Sequence, residues 1–332
     1  MSLQSLISRL TSRRVPPRIS QNFRQLDVAK TDELAASLKH HYFTRPIWGG
    51  TVDVETYLSS DEGKKDMSDH VHGRLDVFRR TVIPWLDDAK PLAGANILEI
   101  GCGTGSSSIA LAEQGATVTG VDIDEDSLIV ARDRARIYGL DVDFLKANAT
   151  EAPQRLANQH FDFIIFFACL EHMTHEERIA SMRSTWNMLS RNDLWCVIDT
   201  PNRLWHFDAH TSQLPFYFWL PDDLAFEYSR FSPRKPFSES YSEYSDEAML
   251  SFLRHGRGLS YHEFDLAIKK AGELDVVSSL PLYIRRQNPL WNLGRRLARS
   301  LNYRYETLLI DAGTRIHKGF YQATLDLIIR KE

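Results

Sequence analysis

Between Asn96 and Asp199 five short apolar runs alternate with segments of helical period, and this alternation leaves few architectures open. Asn96–Ile100 runs into a cluster of glycines, as a buried strand does at its end. Ser106–Gln114 reads as a helix and Thr117–Asp122 as a second strand. The next helix spaces Leu128, Ala131, Ala135 and Tyr138 three or four residues apart, and Gly139 follows where a helix-ending glycine belongs. Val142–Leu145 is a third strand. Phe161–Phe167 is almost continuously apolar, the pattern of a central parallel strand covered on both faces. Thr174 and Glu177 stand at capping-box spacing before a helix that carries Ile179, Met182, Trp186 and Leu189 on one stripe. Leu194–Asp199 is the fifth strand. Strands joined by helices of this length call for right-handed crossovers and a doubly wound α/β sheet.

Outside this block the pattern changes twice. From Pro201 to about Gly258 the chain is aromatic, rich in serine and punctuated by proline, with no steady period, and reads as an insertion or lid. Ser260 and Glu263 form a second capping box before a helix expected to end near Gly272. Leu274–Ser278 and Ala323–Ile329 supply two more strands, for seven in all. Upstream, a helix is expected from Ser68 to about Trp85. The chain therefore divides into a helical extension at 1–90, a ligand-binding core at 91–200, an insertion at 201–259 and a closing segment at 260–332.

The 332 residues carry a formal charge of −4, which argues against nucleic acid as a partner. No run approaches the roughly 18 apolar residues of a membrane span. Cys102, Cys169 and Cys196 lie in or beside core segments without metal-type spacing, which suits buried thiols in a reducing, cytoplasmic compartment. Up to Leu26 there is no acidic residue, yet Arg9, Arg13, Arg14, Arg18 and Arg24 are present. Such a stretch is a frayed basic arm, a transit peptide or a contact to an anionic membrane surface. A second basic group, Arg285, Arg286, Arg295, Arg296 and Arg299, reads as a solvated helix face or as a contact for a phosphate-bearing substrate or membrane.

The chemistry centres on Ile97–Gly105. A strand entering a helix through Gly101, Gly103 and Gly105 lets backbone approach a ligand without Cβ interference. A dinucleotide fingerprint would place a third glycine at position 106, where this chain has Ser106; the earlier Gly105 suits a cofactor without pyrophosphate. Asp122 ends the second strand, the place of an acidic residue that accepts from ribose hydroxyls. Ile123 beside it can pack on an adenine face.

These residues resemble the class I S-adenosylmethionine-dependent methyltransferase family, with its Rossmann-like seven-stranded sheet. Further likeness lies in Ala147-Asn148-Ala149, where the family commonly has Gly-Asp-Ala, in Phe161-Asp162, and in Leu170-Glu171-His172. The resemblance implies that Glu99, Gly101, Cys102, Gly103 and Gly105 surround the methionine moiety. It also implies that Asp122 and Ile123 hold the ribose and adenine, and that Asn148, Ala149 and Phe167 complete the cofactor site. Leu170-Glu171-His172 is similar to ubiquinone-biosynthesis O-methyltransferases, a subgroup that often uses an acidic residue three positions before this Glu in a metal site. Here that position is Ala168, so no metal is expected. His172 is either a general base or a histidine that only packs.

Thr200-Pro201-Asn202-Arg203, Asp208-Ala209-His210 and Leu214–Pro221 resemble methyltransferases of bacterial polysaccharide and glycolipid biosynthesis. Trp205, Phe216, Tyr217 and Trp219 form a floor for a ring or simply pack the insertion. His206 and His210 near Asp208 offer a second base or a polar turn. Arg74 aims at the methionine carboxylate or makes a surface ion pair. The reading that follows is methyl transfer from S-adenosylmethionine to an oxygen of a small-molecule or glycan acceptor, with His172, His210 and Asp208 as catalytic candidates. An N-methyltransferase and a non-catalytic S-adenosylmethionine-binding module are its rivals.

Overall fold

The computed structural model describes residues 23–44, 53–288, 294, 297, 299–312 and 315–332. Arg9, Arg13, Arg14, Arg18, Arg295 and Arg296 lie outside the described residues or their described side chains. Seven strands form one mixed sheet in the order β3-β2-β1-β4-β5-β7-β6 with flanking helices: β1 Asn96–Ile100, β2 Thr117–Asp122, β3 Asp143–Lys146, β4 Phe163–Phe167, β5 Leu194–Pro201, β6 Asp275–Ser279 and β7 Thr324–Arg330. The chain separates into two compact units, one built from the described residues up to Asn148 and the other from Ala149 onward.

In the first unit β1, β2 and β3 run parallel, with Asn96 opposite Thr117 and Thr119 opposite Asp143. Ile97, Leu98 and Ile100 are buried, as a strand covered on both faces requires. The helix Glu125–Tyr138 is capped by Asp124, whose side chain accepts from the Ser127 N–H, and ends at Gly139 with φ 63°. Arg24 donates to the Tyr138 carbonyl at 2.6 Å and to the Gly139 carbonyl, so this member of the basic arm closes a helix end. The upstream helical segment is longer than its sequence pattern suggests. It runs from Asp61 to Ala89, with π-helical turns at Asp69–Gly73 and Phe78–Val82.

In the second unit β4 and β5 are parallel, and β7 lies antiparallel between β5 and β6. Both capping boxes form, Thr174 with Glu177 and Ser260 with Glu263. The helix after the second is short, Tyr261–Ala267. The aperiodic stretch after β5 folds around its own core of Tyr217, Phe218, Phe226, Phe237, Tyr241 and Phe252, with short helices at Asp222–Tyr228, Lys235–Ser240 and Asp246–His255. Its helices are short, six to ten residues each, so no period repeats long enough to be read along the sequence. Among the described residues no helix is long and apolar enough to cross a membrane.

Candidate active site

The first cluster, the glycine loop with Asp122, lies in the first unit. Gly101, Gly103 and Gly105 all have left-handed backbone, with φ of 78°, 51° and 78°. Gly105 has a steric reason as well, because a Cβ there would lie 3.0 Å from that of Ala131 on the helix Glu125–Tyr138. A Cβ on Gly103 would meet no atom within 4 Å, so the loop faces open space there. Asp122 fixes the loop: its carboxylate accepts from the Gly103 N–H at 2.8 Å and from the Asp124 N–H at 2.9 Å. Those two bonds leave lone pairs for a ligand, since an ionised carboxylate has about four acceptor sites. Burial raises the pKa of Asp122. Ile123 is 58% exposed beside it, an apolar side chain left in solvent.

Glu99 is fully buried, and its two oxygens accept from the Ser107 and Ser108 hydroxyls, which ties β1 to the helix Ser106–Ala112. Burial pushes its pKa up, opposed by those hydroxyl bonds. Cys102 is buried behind the loop, with its amide bonded to the Val121 carbonyl. Asn148 and Ala149 follow β3 and are half-buried, Phe167 ends β4, and Arg74 is exposed at the start of the helix Arg74–Val77.

A cation that the sequence reading missed supports the loop. Arg134 is fully buried, and its guanidinium donates to the carbonyls of Thr104 (2.8 Å), His70 (2.8 Å) and Val71 (3.4 Å). Burial lowers its pKa to about 10. His70 is buried against Tyr42, with ring centroids 4.4 Å apart, and desolvation drives its pKa down. It is therefore a neutral packing histidine. Tyr57 donates to Asp66 at 3.1 Å.

The second cluster belongs to the second unit and joins residues far apart in sequence. Glu171 and His172 sit in a 3₁₀ turn after β4, and His210 lies in the insertion. Glu171 Oε1 is 3.9 Å from His172 Nε2 and 4.0 Å from His210 Nε2, and the two rings are 5.6 Å apart. The Glu171 carboxyl is fully buried; one oxygen accepts from Thr200 Oγ1 at 3.1 Å, while Oε1 has no hydrogen-bond partner among the described residues. Burial raises its pKa to about 7. Burial lowers that of His172, and burial with the neighbouring His172 lowers that of His210 to about 4, so the His210 imidazole is neutral near neutral pH.

Two buried groups hold this cluster in place. Arg178, on the helix His175–Met188, donates to the carbonyls of Leu170 (2.9 Å) and Arg257 (2.9 Å) and pairs with Glu263 at 3.2 Å. It thereby ties the Glu171 turn to the far end of the insertion. Asp208, expected among the catalytic residues, is instead a positioning residue. It is 1% exposed, and its oxygens accept from the amides of His210, Thr211 and Ser212 and from the Ser212 hydroxyl. That fills its acceptor capacity and leaves no lone pair for a substrate. Gly256, with φ 137°, allows His210 to approach, since a Cβ there would lie 3.2 Å from the imidazole.

The expected aromatic floor divides. Trp205 and Tyr217 are buried in packing, whereas Phe216 and Trp219 are about half-exposed with ring centroids 4.9 Å apart. His206 turns away, against Tyr305 and Asn302. Arg285 is no part of a solvated patch; it is paired with Glu306 at 2.6 Å and donates to Gln322. At the end of β5 Asp199 adopts φ 55°, held by buried Asp326, which accepts from its amide at 2.7 Å. No periodicity signals such a residue.

Comparison with known proteins adds an independent finding. The sequence family described as a methyltransferase domain matches residues 97–192. A ubiquinone biosynthesis O-methyltransferase of Pseudomonas aeruginosa is 35% identical over 121 residues, 36% of this chain and 50% of that protein. Its counterpart in Stutzerimonas stutzeri is 40% identical over 91 residues, 27% of this chain and 39% of that protein. The chain thus spans half or less of the length of these relatives. Among solved structures, the magnesium protoporphyrin IX methyltransferase of Synechocystis with bound S-adenosylmethionine is 24% identical, with a TM-score of 0.35 over 53% of this chain and 77% of that one.

Proposed function

We propose that this chain, whose residues 97–192 match the methyltransferase domain family, is a class I enzyme that transfers the methyl group of S-adenosylmethionine to a hydroxyl oxygen of a small polar acceptor. One observation carries the reading: Asp122 pins a left-handed glycine loop that faces open space at Gly103. In this reading Gly101–Gly105 borders the methionine moiety, and the remaining lone pairs of Asp122 take the ribose hydroxyls. Ile123 covers the adenine, Asn148 and Ala149 meet its edge, and Phe167 and Arg74 complete the site. The sulfonium is intrinsically reactive, so alignment and exclusion of water supply most of the acceleration. Glu171, His172 and His210 are the acceptor-side group, where the hydroxyl loses its proton as the methyl arrives.

For the acceptor, a sugar or glycolipid hydroxyl fits the insertion, which offers polar side chains together with the exposed rings of Phe216 and Trp219. A phenolic hydroxyl is the second reading, favoured by the identity to ubiquinone biosynthesis O-methyltransferases. S-adenosylhomocysteine formation, followed with panels of saccharides, catechols and amines, tests both. Turnover on a hydroxyl panel and calorimetric binding of S-adenosylmethionine but not NAD are the expected results. Turnover confined to amines would overturn the oxygen acceptor, and cofactor binding without any turnover would leave a binding module.

A further inference from the structure

We propose that Arg203, with Arg257 behind it, forms an anion site that anchors a phosphate or diphosphate ester carried by the acceptor. The site lies in the second unit, where the chain leaving β5 runs alongside the end of the insertion. Asn202 bridges to Leu259, the Arg203 amide donates to the Leu259 carbonyl at 2.8 Å, and the Leu259 amide donates to the Pro201 carbonyl at 2.8 Å. Gly258 permits this close approach, because a Cβ there would stand 2.9 Å from the Arg203 amide nitrogen and 3.0 Å from its Cα.

Three guanidinium groups gather at this seam. Arg178 Nη1 (3.4 Å) and Arg203 Nε (3.1 Å) both donate to the Gly258 carbonyl, and Arg178 Nη2 donates to the Arg257 carbonyl at 2.9 Å. Among the described residues two carboxylates pair with them, Glu263 with Arg178 at 3.2 Å and Asp222 with Arg257 at 2.8 Å. Arg203 is left over. Its Nε is taken by Gly258, and its two terminal nitrogens have no partner among the described residues. Those nitrogens donate from one rigid plane, a geometry that matches two oxygens of a phosphate. Burial lowers the pKa of Arg178 and of Arg257, and the charge of Arg203 lowers both further. Like charges held this close cost free energy that a bound anion would recover.

Arg257 adds a second donor. It is 3% exposed, and its Nε donates to Asp222 while Nη2 donates to the Leu220 carbonyl at 2.7 Å. Its buried Nη1 has no hydrogen-bond partner among the described residues, a costly state for a charged donor. Asp222, which covers this guanidinium, is itself 45% exposed, so its carboxylate can swing out and admit a phosphate. The surroundings point to an acceptor. The Arg257 amide donates to the Glu171 carbonyl at 2.9 Å, and Leu220 directly follows the exposed ring of Trp219. Guanidinium groups for a phosphate beside flat apolar faces for a ring suit a glycosyl phosphate or diphosphate. The inference rests on the proposed function only in taking this side of the second unit as the acceptor side.

The test titrates the full chain with inorganic pyrophosphate by calorimetry in phosphate-free buffer. One equivalent should bind, and Arg203→Gln should weaken it about 10–100-fold. Arg230→Gln, at an exposed arginine already paired with Glu227, should leave it unchanged. Asp222→Asn should tighten binding by freeing Arg257; no gain would overturn the part given to Arg257. Unchanged S-adenosylmethionine affinity would show that the variants are folded. Glucose 1-phosphate should compete with pyrophosphate, and phosphatidylcholine vesicles containing phosphatidic acid should not. Absence of saturable binding, equal weakening by Arg203→Gln and Arg230→Gln, or competition by the vesicles alone would overturn the inference. Arg203-dependent pyrophosphate binding without methyl transfer to any hydroxyl would leave the anion site standing and refute the function; turnover of unphosphorylated saccharides without pyrophosphate binding would do the reverse.

Discussion

The glycine loop and the glutamate–histidine cluster are built on opposite principles. The loop is mostly backbone: its shape comes from three left-handed glycines, and one carboxylate, Asp122, completes it from the end of the next strand. The cluster is mostly side chain. Its members come from a 3₁₀ turn and from the insertion, and Arg178, Asp208, Thr200 and Gly256 hold them in register. A backbone site stores its geometry in local conformation and loses affinity contact by contact. A side-chain site stores it in a network, where one removal strands several buried partners.

The widest separation between the two should appear in turnover. His172→Ala removes a proton acceptor of the cluster and should lower kcat by about 10²–10⁴, with S-adenosylmethionine affinity unchanged by calorimetry. A parallel loss of cofactor affinity would break the division between the two regions.

Next comes stability. Arg178→Met leaves Glu263 and several carbonyls buried without their donor, so urea unfolding should show a loss of about 3–5 kcal/mol. A loss below about 1 kcal/mol would mean that the network is not cooperative.

For the loop, Asp122→Ala should cost about 1.5–3 kcal/mol in cofactor binding, the worth of hydrogen bonds to a charged group. Unchanged affinity would remove Asp122 from the cofactor site.

The same contrast explains what could be read from the sequence. β1 and β2 match their apolar runs residue for residue, and Gly139 and both capping boxes fall where spacing puts them, because each of these is a local decision. The glycine loop and Asp122 are separated by a single helix and strand, so one crossover rule brings them together. His210 carries no such rule; an aperiodic insertion returns it to Glu171. Arg134 and Arg178 escaped notice for another reason. Each sits on the buried side of its helix, where arginine is rarely fully enclosed, and neither spacing nor residue type reveals that backbone carbonyls await it.

A pair of glycine substitutions gives the finest test of the comparison. Gly103→Ala and Gly256→Ala each put a methyl group on backbone of positive φ, 51° and 137°, so each should cost about 1–2 kcal/mol of stability. Their surroundings differ. At Gly103 the new Cβ meets nothing within 4 Å and protrudes into the space proposed for the methionine moiety. At Gly256 it presses at 3.1 Å on Thr211 Oγ1 and at 3.2 Å on the His210 ring. The first variant should therefore lose S-adenosylmethionine affinity, and the second should keep the cofactor while lowering kcat. Cofactor binding is the folding control for the second variant, and far-ultraviolet circular dichroism is that of the first. If Gly256→Ala instead left kcat unchanged at saturating cofactor, His210 would not depend on that contact, and the cluster would be a looser assembly than its hydrogen bonds imply.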